Sequence, residues 1–180
     1  MNSACTFLII LLGLTLKMHK LILLLGTNLG RRIANISTAI HQIETLLGKV
    51  LKKSSVYETA AWGNTEQPDF LNQVIQVETG KNPTECLEIL LQIEAGMGRI
   101  RNLKWEPRII DIDILFYDSE IINLDHLKIP HPELHRRKFV LIPLAEILPE
   151  FVHPQSLKTA NEMLAEVSDP LQCHVYSESV

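Results

Sequence analysis

Apolar and polar residues alternate with two different periods along this chain, and the changes of period mark its predicted elements. Residues 20–26 are almost entirely apolar and predict a short buried strand. Isoleucines then recur at helical spacing and predict an amphipathic helix, which Gly48 is placed to end. Two further strands are predicted at 50–58 and 70–79.

The second half of the chain continues this alternation of strands and helices. The run Asn82-Pro83-Thr84-Glu85 predicts the start of a helix, because it combines a capping residue, a proline suited to the first helical position and the glutamate of a capping box. Residues 109–117 predict a strand, and residues 121–122 a short strand that forms a hairpin with it. Two short helices are expected near 141–147 and within 156–167.

The order of these elements predicts the fold class. Strand, helix, strand, strand, helix, strand is the ferredoxin-like β-α-β-β-α-β pattern. We therefore predict an α+β fold, in which helices flank a largely antiparallel sheet. With 180 residues, 46% of them hydrophobic, the chain suits a single core. One domain is expected over residues 18–168, followed by a loosely held C-terminal tail over residues 169–180.

The first residues carry a separate apolar run, ACTFLIILLGLTL. It has about the length of the apolar part of a signal peptide and is too short to span a bilayer comfortably. A basic region before it and a clear cleavage site are both missing. Because Met18 directly precedes the first predicted strand, we expect Met18 to be the true start and residues 1–17 an upstream extension. A membrane anchor is the alternative, although stable membrane insertion is not expected.

Charge and cysteine usage narrow the possible functions. The formal net charge of -4 argues against a general nucleic-acid binder, which is normally basic. Basic residues nevertheless cluster at 99–108 and 136–138, where they would either bind a small polyanion or form solvated runs of charge. Three widely spaced cysteines match no metal or disulfide pattern, which favours a reduced, cytoplasmic setting.

Two aspartates interrupt the most strand-like run, WEPRIIDIDILFY. Asp111 and Asp113 are two residues apart and therefore point to the same face of the strand. Because adjacent carboxylates repel each other, this face must be wet, basic or bound to a cation such as Mg²⁺. An exposed sheet face, or pairing of the aspartates with Arg108, is the alternative without a metal. The opposite, apolar face is expected to carry Ile110, Ile112, Ile114 and Phe116.

The loop before these aspartates is rich in cations. Arg99, Arg101 and Arg108 can each donate two hydrogen bonds to a phosphate. Cations for phosphates beside carboxylates for Mg²⁺ form the arrangement that phosphoryl transfer needs. Trp105 in the same loop is either a structural anchor or a cover for a planar ligand. A lone histidine such as His131 is more often structural than a ligand.

Several segments together resemble one enzyme family, the 6-hydroxymethyl-7,8-dihydropterin pyrophosphokinases of folate synthesis. The resemblance runs collinearly from about Leu21 to Pro154, and PRIIDIDILFY is similar to the family signature P-R-x-x-D-x-D-I-x-x-F/Y. It implies a reaction that moves pyrophosphate from ATP to the pterin's hydroxymethyl group and releases AMP. The matching segments are LLLGTNLG, SSVYETAAWG, QPDFLNQVIQVET, IEAGMGRIR, WEPRIIDIDILFY and IPHPELHRRKFVLIPLAEI.

The same resemblance implies roles for individual residues. Asp111 and Asp113 match the aspartates that hold two Mg²⁺ ions, and Arg99 and Arg108 match catalytic arginines. Glu94 matches an acidic position that orients groups of the site. ATP contacts are implied for Arg101, Trp105, Ile114, Leu127, Lys128, His131 and Arg137. Pterin contacts are implied for Thr59, Trp62, Phe70, Asn72 and Phe139.

The expected partners follow from this family. They are small molecules, ATP and a reduced pterin, and the protein is expected to be a cytoplasmic monomer without a nucleic-acid partner. The chain departs from the common family pattern in the pterin pocket: Ala60 and Ala61 replace a pair of prolines, Trp62 a leucine and Phe70 a frequent tyrosine. Neither aspartate is affected.

Two other function classes fit part of the pattern. A nucleotidyl transferase or cyclase also uses paired aspartates in a ferredoxin-like fold, but it would release pyrophosphate and leaves Asn72 between two aromatic positions unexplained. A catalytically inactive nucleotide-binding module would be expected to lack an aspartate or a catalytic-loop arginine, and both are present.

Overall fold

An antiparallel sheet of six strands organises the molecule. The computed structural model describes residues 17–61, 67–99 and 107–177. The strands are β1 (His19–Thr27), β2 (Lys49–Lys53), β3 (Tyr57–Thr59), β4 (Phe70–Thr79), β5 (Asp111–Tyr117) and β8 (Cys173–Val175). Their order across the sheet is β5-β1-β4-β3-β8, with β2 also paired to β4. This topology confirms the predicted ferredoxin-like α+β fold, with β2 and β3 together in the place of one strand.

Helices pack on both faces of this sheet. In β1, Leu21, Leu23 and Leu25 point to one core, whereas Ile22 and Leu24 point to the other. A strand that is buried on both faces reads as a continuous apolar run, which explains the first pattern in the sequence. One core lies under α1 (Arg32–Leu46) and α2 (Pro83–Gly96), and the other lies under α3 (Lys138–Ile147) and α4 (Ala160–Glu166).

The start of α2 has the predicted capping box. The backbone N–H of Glu85 donates to Oδ1 of Asn82 over 3.0 Å, and the backbone N–H of Asn82 donates to Oε2 of Glu85 over 2.8 Å. Pro83 occupies the first helical position, where a missing N–H costs nothing. The prediction of a helix start at Asn82 is therefore confirmed.

A β-bulge in β5 corrects one prediction. Ile22 pairs with Phe116 and Leu23 with Ile114, so Leu115 is an extra residue in the strand. The bulge reverses the side-chain alternation: Phe116 packs in the α3/α4 core, whereas Ile112 and Ile114 pack in the α1/α2 core. The expectation that Phe116 shares a face with the isoleucines was wrong.

Short elements also differ from the prediction. β6 (Ile122–Asn123) pairs with β7 (Lys128–Ile129) in a separate ribbon, so the predicted hairpin between 121–122 and the preceding strand was wrong. Residues 50–58 form two strands, β2 and β3, instead of one. The last helix begins only at Ala160, because Thr159 caps it through a second capping box.

The C-terminal segment is held more firmly than the sequence predicts. β8 pairs with β3 along Cys173–Val175, and the backbone N–H of Tyr176 donates to the carbonyl oxygen of Val56 over 2.8 Å. The expectation of a loosely held tail was wrong for these residues.

The proposed N-terminal extension lies outside the described residues, except for Lys17. Among the helices of the described ranges, none is long and apolar enough to cross a membrane.

Gly48 provides a test of the close approach between the start of β2 and β4. A Cβ at Gly48 would lie 2.1 Å from the backbone oxygen of Glu78 in β4, so a side chain would force the two backbones apart. We expect Gly48→Ala to lower the free energy of unfolding by about 1–3 kcal/mol, as measured by urea denaturation.

Gly96 in α2 is the matched control, because an added Cβ there would meet no atom within 4 Å. Gly96→Ala should leave stability unchanged or raise it slightly. Equal losses in the two variants would contradict this packing explanation.

Candidate active site

The ends of four strands meet at one edge of the sheet and form a cleft. In the register of the sheet, Gly26 of β1 pairs with both Asp111 of β5 and Asn72 of β4, and Asn72 pairs with Tyr57 of β3. A Cβ at Gly26 would lie only 3.3 Å from Oδ1 of Asn72, so the glycine allows the polar side chains on either side to approach. Asp111 and Asn72 therefore lie in one row across the cleft floor.

The cleft encloses about 640 Å³ of empty space, part of which is open to solvent. Its walls combine carboxylates, guanidinium groups, polar side chains and two phenyl rings. The lining residues are Leu24, Gly26, Thr59, Ala60, Gln67, Phe70, Asn72, Arg108, Asp111, Asp113, Arg137 and Phe139.

Asp111 is held between two arginines. Arg99 donates from Nη1 to one of its carboxylate oxygens, and Arg108 donates from Nη1 to the other. All three side chains are at least three-quarters buried. The two guanidinium groups stabilise this carboxylate, and guanidinium groups at a cleft can also donate hydrogen bonds to a bound anion.

Glu94 orients one of these arginines. Its Oε1 accepts a hydrogen bond of 2.6 Å from Nη1 of Arg99 and one of 2.8 Å from the backbone N–H of Ile112. Glu94 lies near the end of α2 and is only 2% exposed. The carboxylate thus links α2 to β5 and fixes Arg99 beside Asp111. Its place on an otherwise apolar helix face was visible in the sequence.

Asp113 has the most perturbed acidity of the cleft. Burial raises the pKa of its carboxyl above the ordinary value, and the charges of Asp111 and Glu94 raise it further. Arg99 and Arg108 act in the opposite direction without cancelling this effect. Additional positive charge would therefore be favourable beside Asp113. The adjacent carboxylates of Asp111 and Asp113 could therefore bind a hard divalent cation, which prefers oxygen ligands.

The other half of the cleft is aromatic with a buried polar centre. Phe70 and Phe139 line it, and each ring has a guanidinium carbon 5.6 Å from its centroid, from Arg108 and Arg137 respectively. Asn72, 3% exposed, donates from Nδ2 to Oγ1 of Thr59 over 3.0 Å. An amide beside two rings suits a flat heterocycle with hydrogen-bonding edges.

Other predicted nucleotide residues lie around β5 instead of lining this cleft. Ile114 and Leu127 are each 6% exposed and belong to the α1/α2 core, while Lys128 is exposed on β7. His131 donates its backbone N–H to the carbonyl oxygen of Leu115 over 3.0 Å and lines a neighbouring depression. Burial lowers the pKa of His131, and the charge of Arg137 lowers it further.

Three residues singled out in the sequence, Trp62, Arg101 and Trp105, lie outside the described ranges. The described residues that line the cleft include members of all three groups implied by the family resemblance: the catalytic residues, the pterin contacts and the ATP contacts. Those that the structure brings together are Thr59, Phe70, Asn72, Arg108, Asp111, Asp113, Arg137 and Phe139, with Arg99 directly behind Asp111.

Asn28 is a positioning residue that the sequence reasoning missed. Its Oδ1 accepts a 2.7 Å hydrogen bond from the backbone N–H of Arg108, and its Nδ2 donates to the carbonyl oxygen of Pro68 over 3.2 Å. The side chain thus connects the turn after β1 to the segments that precede β4 and β5. An asparagine between two glycines directly after a strand was the available signal, and it indicated only a turn.

Comparison with known proteins adds an independent line of information. The model of the family described as 7,8-dihydro-6-hydroxymethylpterin-pyrophosphokinase (HPPK) matches residues 22–149. The 2-amino-4-hydroxy-6-hydroxymethyldihydropteridine pyrophosphokinase of Aquifex aeolicus (strain VF5) is 44% identical over 142 residues, which cover 79% of this chain and 88% of that protein. The folic acid synthesis protein FOL1 of Dictyostelium discoideum is 39% identical over 138 residues, which cover 77% of this chain and 21% of that protein.

Solved structures share the fold. The HPPK-DHPS of Plasmodium falciparum, in the wild-type form with SDX-DHP, superposes with a TM-score of 0.70 at 20% identity. The alignment covers 83% of this chain and 44% of that one, so this chain spans less than half of the Plasmodium protein.

The raised pKa of Asp113 leads to a prediction about stability. A carboxyl whose pKa is raised in the folded state binds its proton more tightly in the folded than in the unfolded protein. The stability of the protein therefore falls as the pH rises above the ordinary pKa of an aspartate. Asp113→Asn removes this cost. In EDTA at pH 8 we expect the variant to be more stable than wild type by on the order of 1–2 kcal/mol, and at pH 5 the gain should shrink.

Asp111→Asn is the control, because it removes the charge that pairs with Arg99 and Arg108. It should lower stability at both pH values, again measured by urea denaturation in EDTA. A destabilised Asp113→Asn protein at pH 8 would contradict the interpretation.

Proposed function

This chain belongs to the 7,8-dihydro-6-hydroxymethylpterin-pyrophosphokinase family, and we propose that the cleft between β5, β1, β4 and β3 is its catalytic site. The protein transfers pyrophosphate to a hydroxymethyldihydropterin in folate synthesis, with ATP as the donor and AMP as the second product. One observation carries the assignment to this cleft: paired carboxylates, arginines and two phenyl rings around a buried amide converge at a single sheet edge.

Asp111 and Asp113 are the residues that would hold Mg²⁺. Their carboxylate oxygens are the ligands that this ion prefers, and the raised pKa of Asp113 supports the need for a cation beside it. We propose two ions at this pair. When bound, Mg²⁺ supplies charge neutralisation to the phosphate oxygens and to the attacking hydroxyl.

The arginines act on the phosphates. Arg99 and Arg108 lie at Asp111 with fixed orientations, and Glu94 holds Arg99 from behind. Their remaining N–H groups can donate to phosphate oxygens without a large rearrangement of the site. Arg137 lies on another wall of the cleft and extends the positive charge along the triphosphate. Arg101 and Trp105 are proposed to bind the nucleotide, as the family resemblance implies.

We propose that the adenine binds beside β5 and β7. Ile114 and Leu127 are almost fully buried, so a purine would contact the edges of these side chains and the adjacent backbone. Lys128 is exposed and can reach a bound nucleotide from β7. His131 has a lowered pKa and is therefore neutral at pH 7, which suits a hydrogen-bonding role better than a charged contact.

We propose that the pterin binds between Phe70 and Phe139. Stacking on these rings would bury both faces of the heterocycle, and Asn72, supported by Thr59, would pair with its donor and acceptor edge. Trp62 is proposed as a further pterin contact, as the family resemblance implies. Because Asn72 and Asp111 flank Gly26 in one row, the pterin lies next to the carboxylates, and its hydroxymethyl group can point toward the phosphates.

We further propose that the protein acts as a cytoplasmic monomer. In the described part of the chain Cys86 and Cys173 are free thiols, and burial raises the pKa of both, to about 12 and about 11. Unreactive, reduced cysteines are compatible with a reducing compartment.

The reaction itself can be tested by its products. Incubation of the protein with ATP, Mg²⁺ and 6-hydroxymethyl-7,8-dihydropterin should yield AMP and the pterin diphosphate in equal amounts, as measured by chromatography. EDTA should abolish both products. Asp113→Ala should lower kcat on the order of 10²-fold or more, since it removes charge stabilisation at the reacting phosphates.

The products also separate the function classes. Release of ADP would indicate transfer of one phosphate, and release of free pyrophosphate would indicate a nucleotidyl transferase or cyclase. Either result would overturn the proposal, as would near-normal turnover by Asp113→Ala.

The pterin assignment has its own test in Asn72. Asn72→Leu keeps the approximate size of the side chain and removes its hydrogen-bonding groups, which would leave the pterin edge unpaired. We expect the KM for the pterin to rise on the order of tenfold or more while the KM for ATP changes little. Steady-state assays with each substrate varied in turn measure both constants, and equal changes in the two would contradict the assignment.

A further inference from the structure

Helix α3 begins without a cap of its own. Arg137 occupies the N-cap position with extended backbone angles, φ −127° and ψ 114°, and its side chain makes no capping hydrogen bond. The carboxylate of Asp169 takes this place instead: its Oδ2 accepts a 2.9 Å hydrogen bond from the backbone N–H of Lys138, the first residue of the helix. A residue that lies 31 positions further along the chain therefore caps the helix.

Asp169 is itself fixed in position. It is 5% exposed, and its Oδ1 accepts a 3.0 Å hydrogen bond from the backbone N–H of Leu171. Both carboxylate oxygens are thus used, one by the helix and one by the C-terminal segment. A buried carboxylate with this geometry transmits the position of one element to the other.

The start of α3 is also a wall of the cleft. Arg137 and Phe139 flank Lys138 and both line the cleft, with the guanidinium carbon 5.6 Å from the centre of the ring. Movement of the first turn of α3 would shift this wall directly.

The same C-terminal segment reaches the opposite wall. In β8, Cys173 pairs with Thr59 of β3, and Thr59 lines the cleft and accepts the hydrogen bond from Asn72. Residues 169–176 are therefore attached to the wall that carries Phe139 through the side chain of Asp169, and to the wall that carries Thr59 through the backbone of Cys173.

We propose that residues 169–176 are a positioning element for the pterin half of the cleft, with Asp169 as the residue that sets the place of Arg137 and Phe139. This inference rests on the proposed function, because it takes the space between Phe139 and Asn72 as the pterin site. Stacking depends on wall spacing at the level of about 0.5 Å, so the segment acts on pterin binding without contact to the substrate.

Two variants remove the hydrogen bond between Lys138 and Asp169, one by changing the acceptor and one by changing the donor. Asp169→Asn keeps the shape of the side chain but leaves only one carbonyl oxygen for two N–H donors. Lys138→Pro removes the N–H that donates to Asp169. Proline is well tolerated at this first helical position, and the extended backbone of Arg137 suits a residue before proline.

Each variant has a matched control. Lys138→Ala removes the lysine side chain but keeps the backbone N–H. Asp118→Asn changes a second aspartate that accepts a backbone hydrogen bond, from Lys20 over 2.7 Å, at the end of β5 remote from the cleft. These controls separate loss of the contact from loss of a side chain or of general stability.

Steady-state kinetics with full-length protein test the proposal. We expect the KM for the pterin to rise about fivefold in Asp169→Asn and in Lys138→Pro, the factor that corresponds to one lost cap, while the KM for ATP rises less and kcat changes less than twofold. Of the arginines proposed to contact the phosphates only Arg137 would be displaced, because Arg99 follows α2 and Arg108 precedes β5. The double variant should be no worse than either single variant, because both break the same contact.

The outcomes that overturn the proposal are distinct. An unchanged pterin KM in folded Asp169→Asn and Lys138→Pro, or an equal rise in Lys138→Ala and Asp118→Asn, rejects the positioning role. If Asp169→Asn does not fold, Lys138→Pro alone decides. The proposed function has a separate test, because it fails if the wild-type protein releases no AMP.

Discussion

The register of the central strand is the constraint on which the site depends. β1 is hydrogen-bonded on both sides, so its position fixes β4 and β5 relative to each other. At its end, Gly26 pairs with Asn72 on one side and with Asp111 on the other. A shift of either pairing by one residue would turn the polar side chain into a core, which makes this register strongly determined. The amide and the carboxylate therefore lie in one row, on either side of Gly26.

Electrostatic strain accompanies this arrangement. Asp111, Asp113 and Glu94 lie close together in a mostly buried place, and Arg99 and Arg108 compensate only part of their charge. Such a site lowers the stability of the folded protein, and apolar burial in the two cores of the sheet offsets this loss. The benefit is preorganisation: donors and carboxylates are already oriented toward the place where substrate charge will lie.

Two arginines connect the polar and aromatic halves of the cleft. Arg108 contacts Asp111 and lies over the ring of Phe70, while Arg137 lies over the ring of Phe139. Each cation is therefore adjacent to both proposed substrates. Displacement of either ring would disturb a phosphate contact as well as a pterin contact, which ties the geometry of the two halves together.

The sequence by itself determined the elements and residues whose signals are local. The capping box at Asn82, the doubly buried β1 and the pair Asp111–Asp113 depend on residues a few positions apart, so their patterns are readable in one dimension. Tertiary structure decided the bulge at Leu115 and the attachment of Asp169 to α3, as well as which core receives Phe116 and how β8 joins β3. These features depend on hydrogen bonds and packing between residues far apart in the chain, and no local pattern encodes them.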